Sequence, residues 1–214
     1  MFEITIGSLL DFIVNNSTFI LCMIGYHIFY SVIAILAATV IGIGFGVLAV
    51  KVRKLSFIIY IADLMQSAPD IVVLALMIPI LGIGAICALS ALFIKGILPI
   101  LVNTFVGIKI INKDVIDSAR GMGMGKLQIL FKVEFPLALP IILAGLRTAS
   151  VIAVSTLTLA SYIGVDGLGV LILRGIAMYE GNILIVGSFL TALLAVCTNY
   201  SIGYLEKTAT KWKR

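Results

Sequence analysis

Between two long apolar runs the chain reads INKDVIDSARGMGMGKLQILFKVEFPLALP, residues 111–140. Thirty residues are too many for a turn, and this stretch is too polar to lie in hydrocarbon. It must therefore fold outside a membrane that its flanks enter. Asn112 or Asp114 caps a short helix and complements its positive end. Gly121, Gly123 and Gly125 interrupt that helix, and a second one runs over residues 126–134, ending before Pro136. Val115, Ile116 and Ala119 share one helical face, and Leu127, Leu130 and Phe131 share another. A helix, a glycine hinge and a helix make a docking element more naturally than a connector.

The rest of the chain supports a membrane location. Of 214 residues, 62% are hydrophobic and 12% charged, a balance that leaves a soluble domain with nothing to present to water. Several apolar runs reach the roughly 20 residues that cross a bilayer as a helix. Runs such as residues 32–50 are apolar on every face, which excludes the alternation of a transmembrane barrel. The expected fold is an all-α integral membrane protein with five spans, near residues 28–50, 57–81, 85–106, 139–162 and 183–204. Residues 1–27 form an N-terminal extracytoplasmic or interfacial segment, 28–205 the membrane domain, and 206–214 a basic tail.

Charge orients these spans. Lys51, Arg53 and Lys54 follow the first; Lys109, Lys113, Arg120, Lys126 and Lys132 follow the third; Lys207, Lys211, Lys213 and Arg214 end the chain. In a five-span chain all three blocks face one side, and the positive-inside rule makes that side the cytoplasm. The N-terminus is then outside. No Lys or Arg precedes Lys51, so the first span lacks the basic start of a cleavable signal peptide and is expected to insert uncleaved. The net charge of +5 is accordingly a topology signal, and no nucleic-acid partner is expected.

Ala34, Ala38, Gly42 and Gly46 recur every four residues on the first span, a stripe that lets another helix approach closely. Its partner is unreadable from sequence. Pro69 and Pro79 interrupt the second span, giving either a kink beside a pathway or a bent packing helix. Cys22, Cys87 and Cys197 stand far apart in apolar surroundings, with no ligand spacing, and read as packing residues.

Four charges fall within the spans: Asp63, Asp70, Lys95 and Arg147. Asp70 and Lys95 lie at depths that differ by roughly 2 Å at 1.5 Å per residue. Either the two pair, or Lys95 lines a translocation path.

Enzymatic readings find little support. His27 is the only histidine, which removes histidine-pair metal sites and makes any Ser-His dyad depend on one residue. The glycines at 121–125 precede Lys126, but Arg120 and Leu127 stand where a phosphate-binding loop needs Gly and Ser or Thr. No catalytic residue, metal or cofactor is expected, and any ATP must be hydrolysed elsewhere. A membrane enzyme and a passive channel remain the alternatives of another class.

The polar loop resembles the cytoplasmic motif of ABC importer permeases: E-A-A, three residues, G, nine residues, then I-x-L-P. Here Asp117-Ser118-Ala119, Gly123 and Val133-Glu134-Phe135-Pro136 keep every spacing. Asp for Glu, Ser for Ala, Val for Ile and Phe for Leu depart in identity while preserving acidity, small size or apolarity. The stretches Gly121–Val151 and Thr158–Ala177, the latter with Ala160, Ser161, Gly164, Gly167 and Gly169, are similar to permeases of the osmoprotectant branch, which import glycine betaine, carnitine or choline.

The resemblance implies a type I ABC importer permease fold in a bacterial inner membrane, with residues 112–136 seated on a cytoplasmic ATPase. A second permease subunit, identical or paralogous, and an extracytoplasmic substrate-binding protein complete the expected assembly. Methionine and other amino-acid permeases share the general fold and form the competing reading. The osmoprotectant family usually has uncharged residues at the positions of Asp70 and Lys95. Arg147 resembles the arginine of its G-x-R-T segment, with an expected role in helix packing.

Overall fold

The structure, a computed structural model, describes residues 6–209. Expectations for Lys211, Lys213 and Arg214 lie outside the described residues. Ten α-helices are found among them: α1 (Ile6–Asn15), α2 (Ser17–Lys51), α3 (Phe57–Gln66), α4 (Asp70–Leu81), α5 (Ala85–Lys109), α6 (Lys113–Gly121), α7 (Lys126–Ile129), α8 (Phe135–Ala160), α9 (Leu168–Ala177) and α10 (Gly181–Ala209).

Four continuous helices are long and apolar enough to cross a membrane, namely Ser17–Lys51, Ala85–Lys109, Lys126–Ile163 and Gly181–Ala209. The first begins earlier than expected. Residues 17–27 contain no proline, so the helix extends through them and α2 spans 35 residues, about 52 Å at 1.5 Å per residue. The boundary expected after residue 27 falls inside it.

The expected second span, 57–81, is broken. Its two halves meet at 105°, with Ser67, Ala68 and Pro69 between them. Pro69 has no N–H to continue the ladder and disfavours helical geometry at Ala68. Pro79, by contrast, sits inside α4 without ending it. Neither half crosses hydrocarbon alone: 10 and 12 residues reach only about 15 and 18 Å. Such a pair is either one broken span or a re-entrant loop, so the described residues hold four spans, or five if the pair counts as one.

The fourth span also departs from expectation. The helix expected to stop before Pro136 continues, because a π-helical turn, Leu130–Glu134, joins α7 to α8. Phe135 N–H donates to Leu130 O across this wide turn. Pro136 then falls in the first turn of α8, directly after this wide turn, where the altered hydrogen-bond register leaves room for a residue without an N–H.

The helix registers define the bundle. Cβ atoms built on Gly42 and Gly46 would lie 3.0 Å from Ile100 and 2.6 Å from Thr104, so α2 and α5 run parallel at close approach. The small-residue stripe thus has its partner in the same chain. Gly145 faces Asn103 and Pro99, while Gly107 faces Ala138 and Ile141, so α8 runs antiparallel to α5. The cluster of Ala34, Val73, Leu74, Cys87, Ala91, Leu92, Ala153 and Leu157 joins α2, α4, α5 and α8, and α5 sits at its centre. A second cluster, including Met23, Leu168, Leu171 and Ile183, seats α9 between α2 and α10. Of the cysteines, Cys87 is buried whereas Cys22 and Cys197 are exposed; packing accounts for Cys87 alone.

Candidate coupling site and intramembrane charge cluster

The polar loop is built by local chemistry. Asn112 caps α6, its side chain accepting from Asp114 N–H at 3.0 Å, and Asp114 and Arg120 stand at the ends where their charges complement the helix. Gly123 adopts φ +81°, a left-handed geometry that a side chain would strain. Gly121 and Gly125 take ordinary geometries, as the last residue of α6 and the cap of α7. One glycine, rather than three, makes the hinge.

Asp117 and Ser118 are exposed on α6. Asp117 holds Arg120 at 3.1 Å across one turn. Ser118 Oγ donates to Asp114 O at 2.8 Å. Ala119 points the other way and is buried. Ser118 faces outward, and Ala119 packs the loop on itself. Val115, grouped with Ile116 and Ala119 in the sequence pattern, is exposed, as are Met122, Leu127 and Phe131. These apolar side chains are left uncovered by the rest of the chain. Val133, Phe135 and Pro136 are half-buried where the loop enters α8.

A second site lies at the broken span. Lys95 Nζ lies 3.0 Å from Asp70 Oδ1 and donates to Ala68 O at 2.8 Å and to Gln66 O at 3.4 Å. Thr156 Oγ1 donates to Asp70 Oδ2 at 3.0 Å. The break explains this arrangement. Ending α3 inside the bilayer leaves carbonyls without helical partners, which hydrocarbon cannot satisfy. The Lys95 ammonium meets them at the negative end of α3. Asp70, first residue of α4, sits at that helix's positive end. The Lys95 side chain is 5% exposed and that of Asp70 22%, so the pair is largely shielded from solvent. The structure thus brings Asp70 and Lys95 together, on α4 and α5, and adds Thr156 from α8.

Arg147 belongs to neither site. Its Nε donates to Asn199 Oδ1 at 2.6 Å, joining α8 to α10, with the guanidinium against Gly203. Asp63 is exposed on α3.

Sequence reasoning missed Lys51 and Glu134, whose side chains meet at 2.5 and 2.7 Å, and it missed the place of His27. That imidazole is fully buried. Leu168 N–H donates to its Nδ1 at 3.2 Å, so Nε2 carries the proton toward Val154 O, also at 3.2 Å. His27 ties α2 and α8 to the first residue of α9. Nothing in its apolar surroundings signals these partners, which lie 127 and 141 residues away. Among the described residues no group of His, Cys, Asp and Glu is arranged to hold a metal.

The described residues form a helical membrane bundle that carries a structured polar loop between two of its long helices. Residues 38–211 match the family described as binding-protein-dependent transport system inner membrane component, and the chain belongs to that family. It is 35% identical to the carnitine transport permease protein OpuCB of Listeria monocytogenes, over 95% of this chain and 94% of that protein. It shows the same 35% identity to the glycine betaine/carnitine/choline transport system permease protein OpuCB of Bacillus subtilis (strain 168), again over 95% and 94%. In fold it is similar to a chain of the inward-facing MetNI methionine ABC transporter, with a TM-score of 0.80 and 21% identity, covering 89% of this chain and 96% of that one. The protein is a multi-pass permease of the inner membrane, of the type I ABC importer fold. Its family is that of transport systems that depend on a binding protein.

Proposed function

We propose that this chain forms the translocation pathway for a quaternary ammonium osmoprotectant such as glycine betaine, carnitine or choline, driven by ATPase subunits docked on residues 112–136. The shape of the loop carries the mechanistic half of this reading. Asp117 and Ser118 stand outward on α6, with Val115, Met122, Leu127 and Phe131 exposed around them. A surface of that mixed character suits a protein groove. The substrate class rests on the relatives that carry carnitine, glycine betaine and choline.

In this reading the basic end of the bundle, with Lys51, α6 and the tail at 206–214, lies in the cytoplasm and the N-terminus lies outside. Residues 28–205 form the transport domain. A second permease subunit, a copy or a paralogue, completes the pathway. The exposed side of α4, with Ile71, Val72, Leu76 and Ile80, is left for it or for lipid.

The test is reconstitution of the chain with its ATPase and receptor in proteoliposomes, followed by ATP-dependent uptake of radiolabelled glycine betaine, carnitine, choline and methionine. Uptake of a quaternary ammonium solute, abolished without ATP, is expected. Methionine uptake alone would transfer the chain to the amino-acid branch, and flux without the ATPase would make it a channel.

A further inference from the structure

Glu134 occupies the variable position between Val133 and Phe135, where the docking loop turns into a membrane helix. It is buried, at 7% exposure, and both its oxygens receive the ammonium of Lys51. A carboxylate in such a place requires a counter-charge. Lys51 is the last residue of α2, where a cation also complements the terminal carbonyls. The π-helical turn ending at Glu134 adds one residue to the helical register. Side chains beyond it are displaced by about 100° from an uninterrupted helix, a device that recurs at functional positions.

The surrounding contacts give the pair a mechanical position. Helix α6 packs against α7 and the π-helical turn. An open cleft of about 400 Å³ is lined by Ile116 and Arg120 of α6 on one side and by Lys51 and Glu134 on the other. Force applied to α6 therefore meets open space at this cleft, and at its wall the contact of buried Glu134 with the more exposed Lys51. Beyond that contact α2 lies against α5 through Gly42 and Gly46, a close-packed seam that transmits displacement instead of absorbing it.

We infer that Lys51 and Glu134 form a strut that carries movement of the docking loop into α2, and through α2 into α5. They are positioning residues for energy coupling, and the inference rests on the reading of residues 112–136 as an ATPase dock. The partner face of the loop is what an ATPase would move, and the strut decides how much of that motion reaches the spans.

The experiment uses the complete transporter in proteoliposomes, with solute uptake and ATP hydrolysis measured on the same sample. Lys51→Glu and Glu134→Lys are each expected to keep the ATPase bound by co-elution while solute moved per ATP falls roughly tenfold. The double exchange restores most of that ratio. Glu134→Gln, which preserves size and removes the charge, is expected to lower the ratio in the same direction and guards against misfolding of the reversals. Wild-type solute per ATP in Glu134→Gln and in both reversals overturns the strut. So does a double exchange that rescues nothing, since the pair would then serve loop folding alone. If the unaltered complex binds no ATPase or couples no uptake to it, the docking reading itself falls.

Discussion

Two places interrupt helices in this chain, and they solve the problem in opposite ways. At Ser67–Pro69 the interruption lies within a span, and the freed carbonyls of Gln66 and Ala68 receive the Lys95 ammonium while Asp70 and Thr156 complete the cluster. At Gly123 the interruption lies in the polar loop, and a positive φ at an exposed residue suffices. Local backbone bonds close the second place, Gly123 N–H donating to Arg120 O at 2.9 Å and Met124 N–H to Ala119 O at 3.2 Å, so the hinge needs no side chain from another helix. Hydrocarbon offers nothing in the first, so the break is stitched by side chains from three helices.

The largest expected effect comes from unpairing the stitched break. Lys95→Met leaves the Asp70 carboxylate and two carbonyls without their cation and should cost about 3 kcal/mol. A lower melting temperature in detergent and loss of uptake are the readouts. Asp70→Asn should cost less, since Thr156 remains a donor to it, and the double variant should recover stability beyond the sum of the single losses. Strict additivity would mean that the two charges do not act as a pair.

Next in size is the free hinge. Gly123→Val should cost about 1–2 kcal/mol in strained backbone, and Gly123→Pro blocks the observed φ altogether. Both should reduce uptake more than ATP hydrolysis while the subunit still inserts. Normal uptake in both would show that the hinge is only a connector.

Thr156→Val removes one neutral donor from Asp70 and keeps the side-chain volume, so a loss of about 1 kcal/mol is expected, measured by the same melting assay. The smallest effect on stability belongs to Asp117→Lys. Asp117 and Arg120 are both exposed, and such a pair contributes little. The melting temperature should hold while co-purification of the ATPase falls. A variant that retains the ATPase fully would separate Asp117 from the docking face.

The form of the polar loop was legible in sequence because its chemistry is local. The cap at Asn112 and the interruption among Gly121, Gly123 and Gly125 each involve residues within a few positions of one another. Val115 and Ala119 share a helical face in the sequence pattern yet differ in burial, because spacing names a face without saying which neighbour covers it. Pro136 was read as a stop because π-helical geometry has no simple sequence signal, and that turn admits the proline into the first turn of α8. The equal depth of Asp70 and Lys95 allowed a pair and left a pathway residue open. Helix packing then brought the two charges together.

Sequence alone determined that the chain is a helical membrane protein, where its polar loop lies and which end of the bundle is basic. Those properties follow from hydropathy, chain length and charge, which act along the chain. Only the tertiary structure decided that the Ala34–Gly46 stripe meets α5, that Thr156 joins the Asp70–Lys95 pair and that Lys51 meets Glu134. The last two contacts span 86 and 83 residues. They depend on how whole helices register against one another, a property of packing that local spacing does not encode.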